Sequence, residues 1–156
     1  MMISRVALKW SLGALALAIT GLFSGNVLAE PVQYHGASDL PFSEAVQAGD
    51  MLYLSGQIGA APGGNALASG GIDGEAHQAM ENIRAVLARR GLTFDAVVKC
   101  TAMLADMNDW PAFNKVYVGY FKPGRLPARS AFAASGLALG GRIELECWAY
   151  NPIAAK

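Results

Sequence analysis

Ile143-Glu144-Leu145-Glu146-Cys147-Trp148-Ala149-Tyr150 alternates without a break. Ile143, Leu145, Cys147 and Ala149 share one face of a strand, and Glu144, Glu146, Trp148 and Tyr150 share the other. The first face suits a layer of helices. The second mixes acids with aromatic rings, which suits solvent, a site or another subunit. One sheet with helices on a single side is the simplest fold that gives a strand two such surroundings.

Working outward, Ala128 to Phe132 is the preceding strand, joined to the last one by a Gly/Ser-rich loop at Ser135 to Gly141. Val97 to Leu104 reads as a mostly buried strand. After Asp106 to Asp109, Pro111 suits a first helical turn, and Trp110, Phe113, Tyr117, Tyr120 and Phe121 fall on one helical face. That aromatic stripe is read as core and not as a stacking platform, and Lys122-Pro123-Gly124 ends its helix. Ala76, Ala79, Met80, Ile83, Val86 and Leu87 recur at helical spacing, which predicts a helix from about Asp73 to Arg90, stopped at Gly91. Ser43 to Ala48 and Met51 to Ile58 flank Gly49-Asp50, a favoured hairpin turn. Glu30 to Leu40 reads as an extended lead-in. The class is therefore α+β, a single mixed sheet with two helices on one face. The uncovered face calls for oligomerisation.

The chain has 156 residues, room for one ordinary domain. Met1 to Ala29 holds no acid and two bases, Arg5 and Lys9, ahead of an apolar run from Trp10 to Phe23. Ser24-Gly25-Asn26 breaks that run, and Val27-Leu28-Ala29 offers a small-residue cut site before Glu30. Residues 1–29 are thus expected to be a secretory signal peptide, leaving residues 30–156 as the mature domain in the periplasm or secreted. The apolar run falls short of the roughly 20 residues a spanning helix needs, so no membrane is expected after cleavage. The mature part carries ten Lys/Arg against twelve Asp/Glu, a formal charge of −2. That balance opposes nucleic-acid binding, which rests on neutralising phosphates.

Few residues carry chemistry by pattern. His35 and His77 lack partners at ligand spacing, so no metal site is readable, and His77 reads as a surface side chain. Gly63, Gly64, Gly70 and Gly71 fit no phosphate-binding fingerprint and mark a surface loop between Gly59 and Gly71. Ser55 lacks the glycine two positions before it that a nucleophile elbow needs. Export makes a Cys100–Cys147 disulfide chemically possible. The apolar runs around both favour buried, unreactive thiols instead. The informative pair is Arg129 and Glu144. If residues 128–132 and 142–148 form an antiparallel hairpin centred near Leu137, Arg129 lies opposite Glu144 to Glu146. The guanidinium could clamp a substrate carboxylate while the acid acts on a water. A plain cross-strand ion pair accounts for the same spacing.

Leu54-Ser55-Gly56-Gln57-Ile58, Val98-Lys99, Met107-Asn108-Asp109-Trp110 with Asn114, Pro127-Ala128-Arg129-Ser130 and Ile143-Glu144-Leu145-Glu146 together resemble the Rid (YjgF/RidA) family, also known as endoribonuclease L-PSP-like proteins. The likeness runs from about Pro41 to Tyr150. It implies a chorismate-mutase-like fold, a homotrimer and sites in the clefts between subunits. It implies cofactor-free hydrolysis of reactive 2-imino and enamine acids to 2-keto acids and ammonia.

By position, the resemblance makes Arg129 the carboxylate clamp and Glu144 the residue that holds the attacking water. Gly56 borders the pocket with its backbone, and Asn114 matches the family's pocket asparagine. Phe42 stands where enzymatic relatives often carry a tyrosine, and Ala131 where many carry a cysteine. Water attack on an imine needs no cysteine, whereas the missing phenol bears on rate or substrate choice. The competing reading is a non-catalytic trimer that binds small carboxylates or acts like a chaperone. Ribonuclease activity is disfavoured by the mature charge and by the lack of a catalytic histidine pair.

Overall fold

The computed structural model describes residues 31–36 and 41–152. The signal segment and its cut before Glu30 lie outside the described residues. Strands β1 (Gln33–His35), β2 (Ala45–Ala48), β3 (Met51–Leu54) and β4 (Gln57–Ile58) precede helix α1 (Gly71–Ala88). Strand β5 (Val97–Leu104), helix α2 (Trp110–Val118), β6 (Ala128–Ala133) and β7 (Ile143–Tyr150) complete the chain.

The β2–β3 hairpin forms where the Gly49-Asp50 pair places it. Gly49 takes the positive φ (54°) that such a turn needs at its first position. Strands β3 and β4 run along one edge of β7, with Leu52 opposite Ala149 and Ile58 opposite Glu144. The main strand order is β1-β2-β3-β7-β5-β6. The expected mixed sheet is therefore present, and both helices pack into one core with its buried face.

The expected hairpin of the last two strands is not present. β6 pairs with β5 in parallel, β7 pairs with β5 antiparallel, and β5 separates them. The reason lies in α2. It supplies the crossover that a parallel neighbour requires, and its apolar face covers the sheet as it crosses. The eight-residue apolar β5, able to pair along both edges, takes the interior position.

That register also corrects the reading of the cysteines. Cys100 sits directly opposite Cys147, their Cα atoms are 4.1 Å apart, and the two form a disulfide. Both are fully buried. Cysteine positions in a sequence say nothing of strand neighbours, so the pairing could not be read before the register was known.

Helix α1 takes the expected place, with Ala76, Ala79, Met80, Ile83, Val86 and Leu87 all buried. Helix α2 ends at Val118, short of Tyr120 and Phe121. The chain turns at Gly119, and both rings still reach the core from the turn, stacking edge-on against Phe94 at 5.4 and 5.3 Å. On the sheet's other face, Tyr53 and Trp148 pair at 5.1 Å, and both remain exposed with Phe132 and Tyr150. No described element covers them.

Candidate active site

Arg129 is the second residue of β6, opposite Cys100 in the parallel ladder. Residues opposite one another share a face, so its side chain lies on the helix side with Cys100. There the guanidinium carbon sits 4.6 Å from the ring centres of both Trp110 and Tyr117, and 5.6 Å from that of Phe113. Its Nη1 is buried without a hydrogen-bond partner. Among the described residues no carboxylate pairs with it, and its charge packs against the faces of three rings.

Two more buried polar atoms on α2 lack partners, Asn114 Oδ1 and the Tyr117 hydroxyl. Burial pushes the Tyr117 phenol up to about 12, against the opposing pull of Arg129's charge. Orphaned buried polar atoms are rare in native proteins and call for a ligand, a water or a partner chain.

Glu144 belongs to the second face. It is opposite Met103 on β5 and Ile58 on β4, half-buried. A Cβ at Gly56 would lie 2.9 Å from its Cδ and closer still to Oε1. Only glycine lets this carboxylate rest against the backbone between β3 and β4. Ser55 steadies the same stretch by donating its hydroxyl to the Ser43 carbonyl at 2.6 Å. Phe42, one residue earlier, is 53% exposed.

The expected cross-strand neighbours are therefore not neighbours. Arg129 shares the face of Cys100 and Cys147, whereas Glu144 stands three residues from Cys147 and so points the opposite way. The residues form two half-sites. One is Arg129 with α2 and Asn114; the other is Glu144 with Gly56 and the segment after Phe42.

Residue pairs that sequence reasoning missed frame the second half-site. The Arg142 guanidinium donates to both oxygens of the buried Asp109 carboxylate, at 2.9 and 2.7 Å. The same bonds hold its pKa above the ordinary arginine value. The buried Glu75 accepts the Arg142 backbone N–H at 2.7 Å, and Asn82 donates to the carbonyls of Ile58 and Ala60. Together they anchor the start of β7 and the end of β4, on either side of Glu144. No spacing rule connects these positions.

His77 is exposed, as expected, yet its Nδ1 meets the Tyr120 hydroxyl at 3.0 Å, and that hydroxyl donates to Glu81 at 2.9 Å. Burial and Glu81 push the Tyr120 phenol up to about 12. They line a cleft of about 470 Å³ between the helices, whose lining includes neither Arg129 nor Glu144. Among the described residues no group of three His, Cys, Asp or Glu could hold a metal ion.

The family described as Endoribonuclease L-PSP matches residues 36–151. The chain belongs to this family, the Rid proteins. A mouse relative named 2-iminobutanoate/2-iminopropanoate deaminase is 44% identical over 106 residues, 68% of this chain and 78% of its own length. A human relative of the same name is also 44% identical, over 68% of this chain and 77% of its own. Among solved structures, a Rid-family protein of unknown function from Yersinia pestis superposes with a TM-score of 0.72 at 32% identity. It covers 77% of this chain and 99% of its own. The resemblance read from five short motifs thus identifies the right family, and the Rid fold is the observed sheet with two helices.

Proposed function

We propose that this Rid protein is an exported hydrolase that converts reactive 2-imino and enamine acids to 2-keto acids and ammonia. The observation that carries the reading is the Arg129 guanidinium, held against three rings with no carboxylate paired to it among the described residues. A planar carboxylate is the counterion that a guanidinium fork takes with two parallel hydrogen bonds. The relatives named as imine deaminases support the chemistry.

In the proposed reaction, Glu144 takes a proton from a water as its oxygen bonds to the imine carbon. The resulting carbinolamine collapses as the C–N bond breaks and the carbonyl forms. Both of the water's protons end on the nitrogen, the one taken by Glu144 as the carbinolamine forms and the hydroxyl proton as it collapses, and the nitrogen departs as ammonia. An enamine substrate first gains a proton at its terminal carbon to become the imine. Gly56 brings the Glu144 carboxylate close to the backbone, Asn114 offers Oδ1 to a substrate N–H, and Phe42 forms an apolar wall.

The two half-sites lie on opposite faces of one chain, so a complete site needs a second copy. We infer a homotrimer arranged head to tail, the Arg129 edge of each copy meeting the open face of the next. The exposed Tyr53, Trp148, Tyr150 and Phe132 give that face apolar surface to bury. Export, with a mature chain beginning at Glu30, is supported by the Cys100–Cys147 disulfide, since such bonds persist in oxidising compartments.

A phenylalanine at position 42 favours a second reading, in which Arg129 captures 2-keto acids without turnover. The test is a coupled assay in which a pyridoxal-phosphate enzyme generates the imine. Accelerated keto-acid release that disappears in Arg129→Ala supports the hydrolase. Wild-type inactivity together with Arg129-dependent keto-acid binding gives the second reading, and wild-type rates in Arg129→Ala sink both.

A further inference from the structure

We propose that Trp110 and Tyr117 are positioning residues that form a slot for the Arg129 guanidinium and thereby set its affinity for planar carboxylates. This rests on the reading of Arg129 as the carboxylate clamp. The two rings are seven residues apart on α2, a rise of about 10.5 Å. The guanidinium carbon lies equally close to both ring centres, at 4.6 Å, and the Phe113 ring, itself 6.4 Å from that of Trp110 and 5.4 Å from that of Tyr117, completes a three-ring cradle at 5.6 Å.

Three consequences follow from that packing. The three rings line one side of the guanidinium and leave its N–H groups to be approached from the other. The slot also fixes a long side chain before the ligand arrives, so less rotamer freedom is lost on binding. Finally, ring faces attract the cation without neutralising it as a protein carboxylate would, so the charge stays available to the ligand.

The test measures 2-ketobutyrate binding by calorimetry, and KM and kcat in the coupled imine assay, on variants with oligomeric state checked by light scattering. Trp110→Leu and Trp110→Met, both at a half-buried position, are expected to weaken 2-ketobutyrate binding and raise KM by about tenfold. Their kcat should stay within about threefold, because Glu144 is untouched. Trp110→Phe, which restores a ring face, should recover most of the loss. The slot is refuted if both non-aromatic variants keep wild-type affinity and KM, or if Trp110→Phe is as impaired as they are. Arg129→Ala separates this from failure of the underlying reading. If that variant binds 2-ketobutyrate as wild type does, the clamp itself is wrong.

Discussion

Arg129 and Glu144 lie on opposite faces of one sheet, with β5 between their strands. No rotamer change within a single chain brings the guanidinium to the carboxylate.

Gly56→Ala tests the second half-site. The added methyl carbon would collide with the Glu144 carboxylate and displace it. We expect a folded protein destabilised by roughly 1–3 kcal/mol through overpacking, with turnover reduced about tenfold because the displaced carboxylate no longer holds the water in place. Wild-type kcat in this variant would mean that Glu144 is not held against this backbone during the reaction.

Removal of the disulfide tests the junction of β5 and β7. Cys100 and Cys147 are 47 residues apart, and closing such a loop stabilises by about 4 kcal/mol through the unfolded chain. Cys100→Ala/Cys147→Ala should therefore lower the urea midpoint sharply, and wild type unfolded and refolded in reductant should match it. An unchanged midpoint would show that the cross-link adds nothing to folding.

Much of the architecture was legible because parity along a strand and period along a helix report which side chains are buried. The alternation of Ile143 to Tyr150 and the periodicity of Ala76 to Leu87 gave two faces correctly. Parity does not say which strand lies next to which. That is why the β6–β7 hairpin failed, and with it the Arg129–Glu144 pairing and the reading of the cysteines as free thiols. The aromatic stripe shows another limit. Phe113, Tyr117 and Phe121 are buried as core residues, yet Trp110, Phe113 and Tyr117 also surround a cation. A sequence pattern cannot reveal a second role that arises from a neighbour on another strand.

Tyr117 gives a pH signature. Its phenol stays neutral up to about 12 in the folded protein, against 10.0 for the unperturbed group. Between those values the folded state holds a proton that the unfolded chain has released, so stability falls as pH rises from about 10 to 12. Absorbance at the phenolate band should show late titration of this residue, lost in Tyr117→Phe. Loss of no late-titrating phenol in that variant would contradict the buried placement beside Arg129.

The most direct test of the composite site is complementation between two inactive variants. Arg129→Ala and Glu144→Gln, each abolishing or severely lowering imine hydrolysis alone, are unfolded together in equal amounts with reductant and refolded oxidatively. In a head-to-tail trimer every mixed assembly contains one interface where an intact Arg129 meets an intact Glu144. Random mixing then restores about a quarter of wild-type activity, because about three quarters of trimers are mixed and each has one complete site of three. Recovery near that fraction is expected; no recovery from refolded trimers of both chains would show that Arg129 and Glu144 do not meet across a subunit interface.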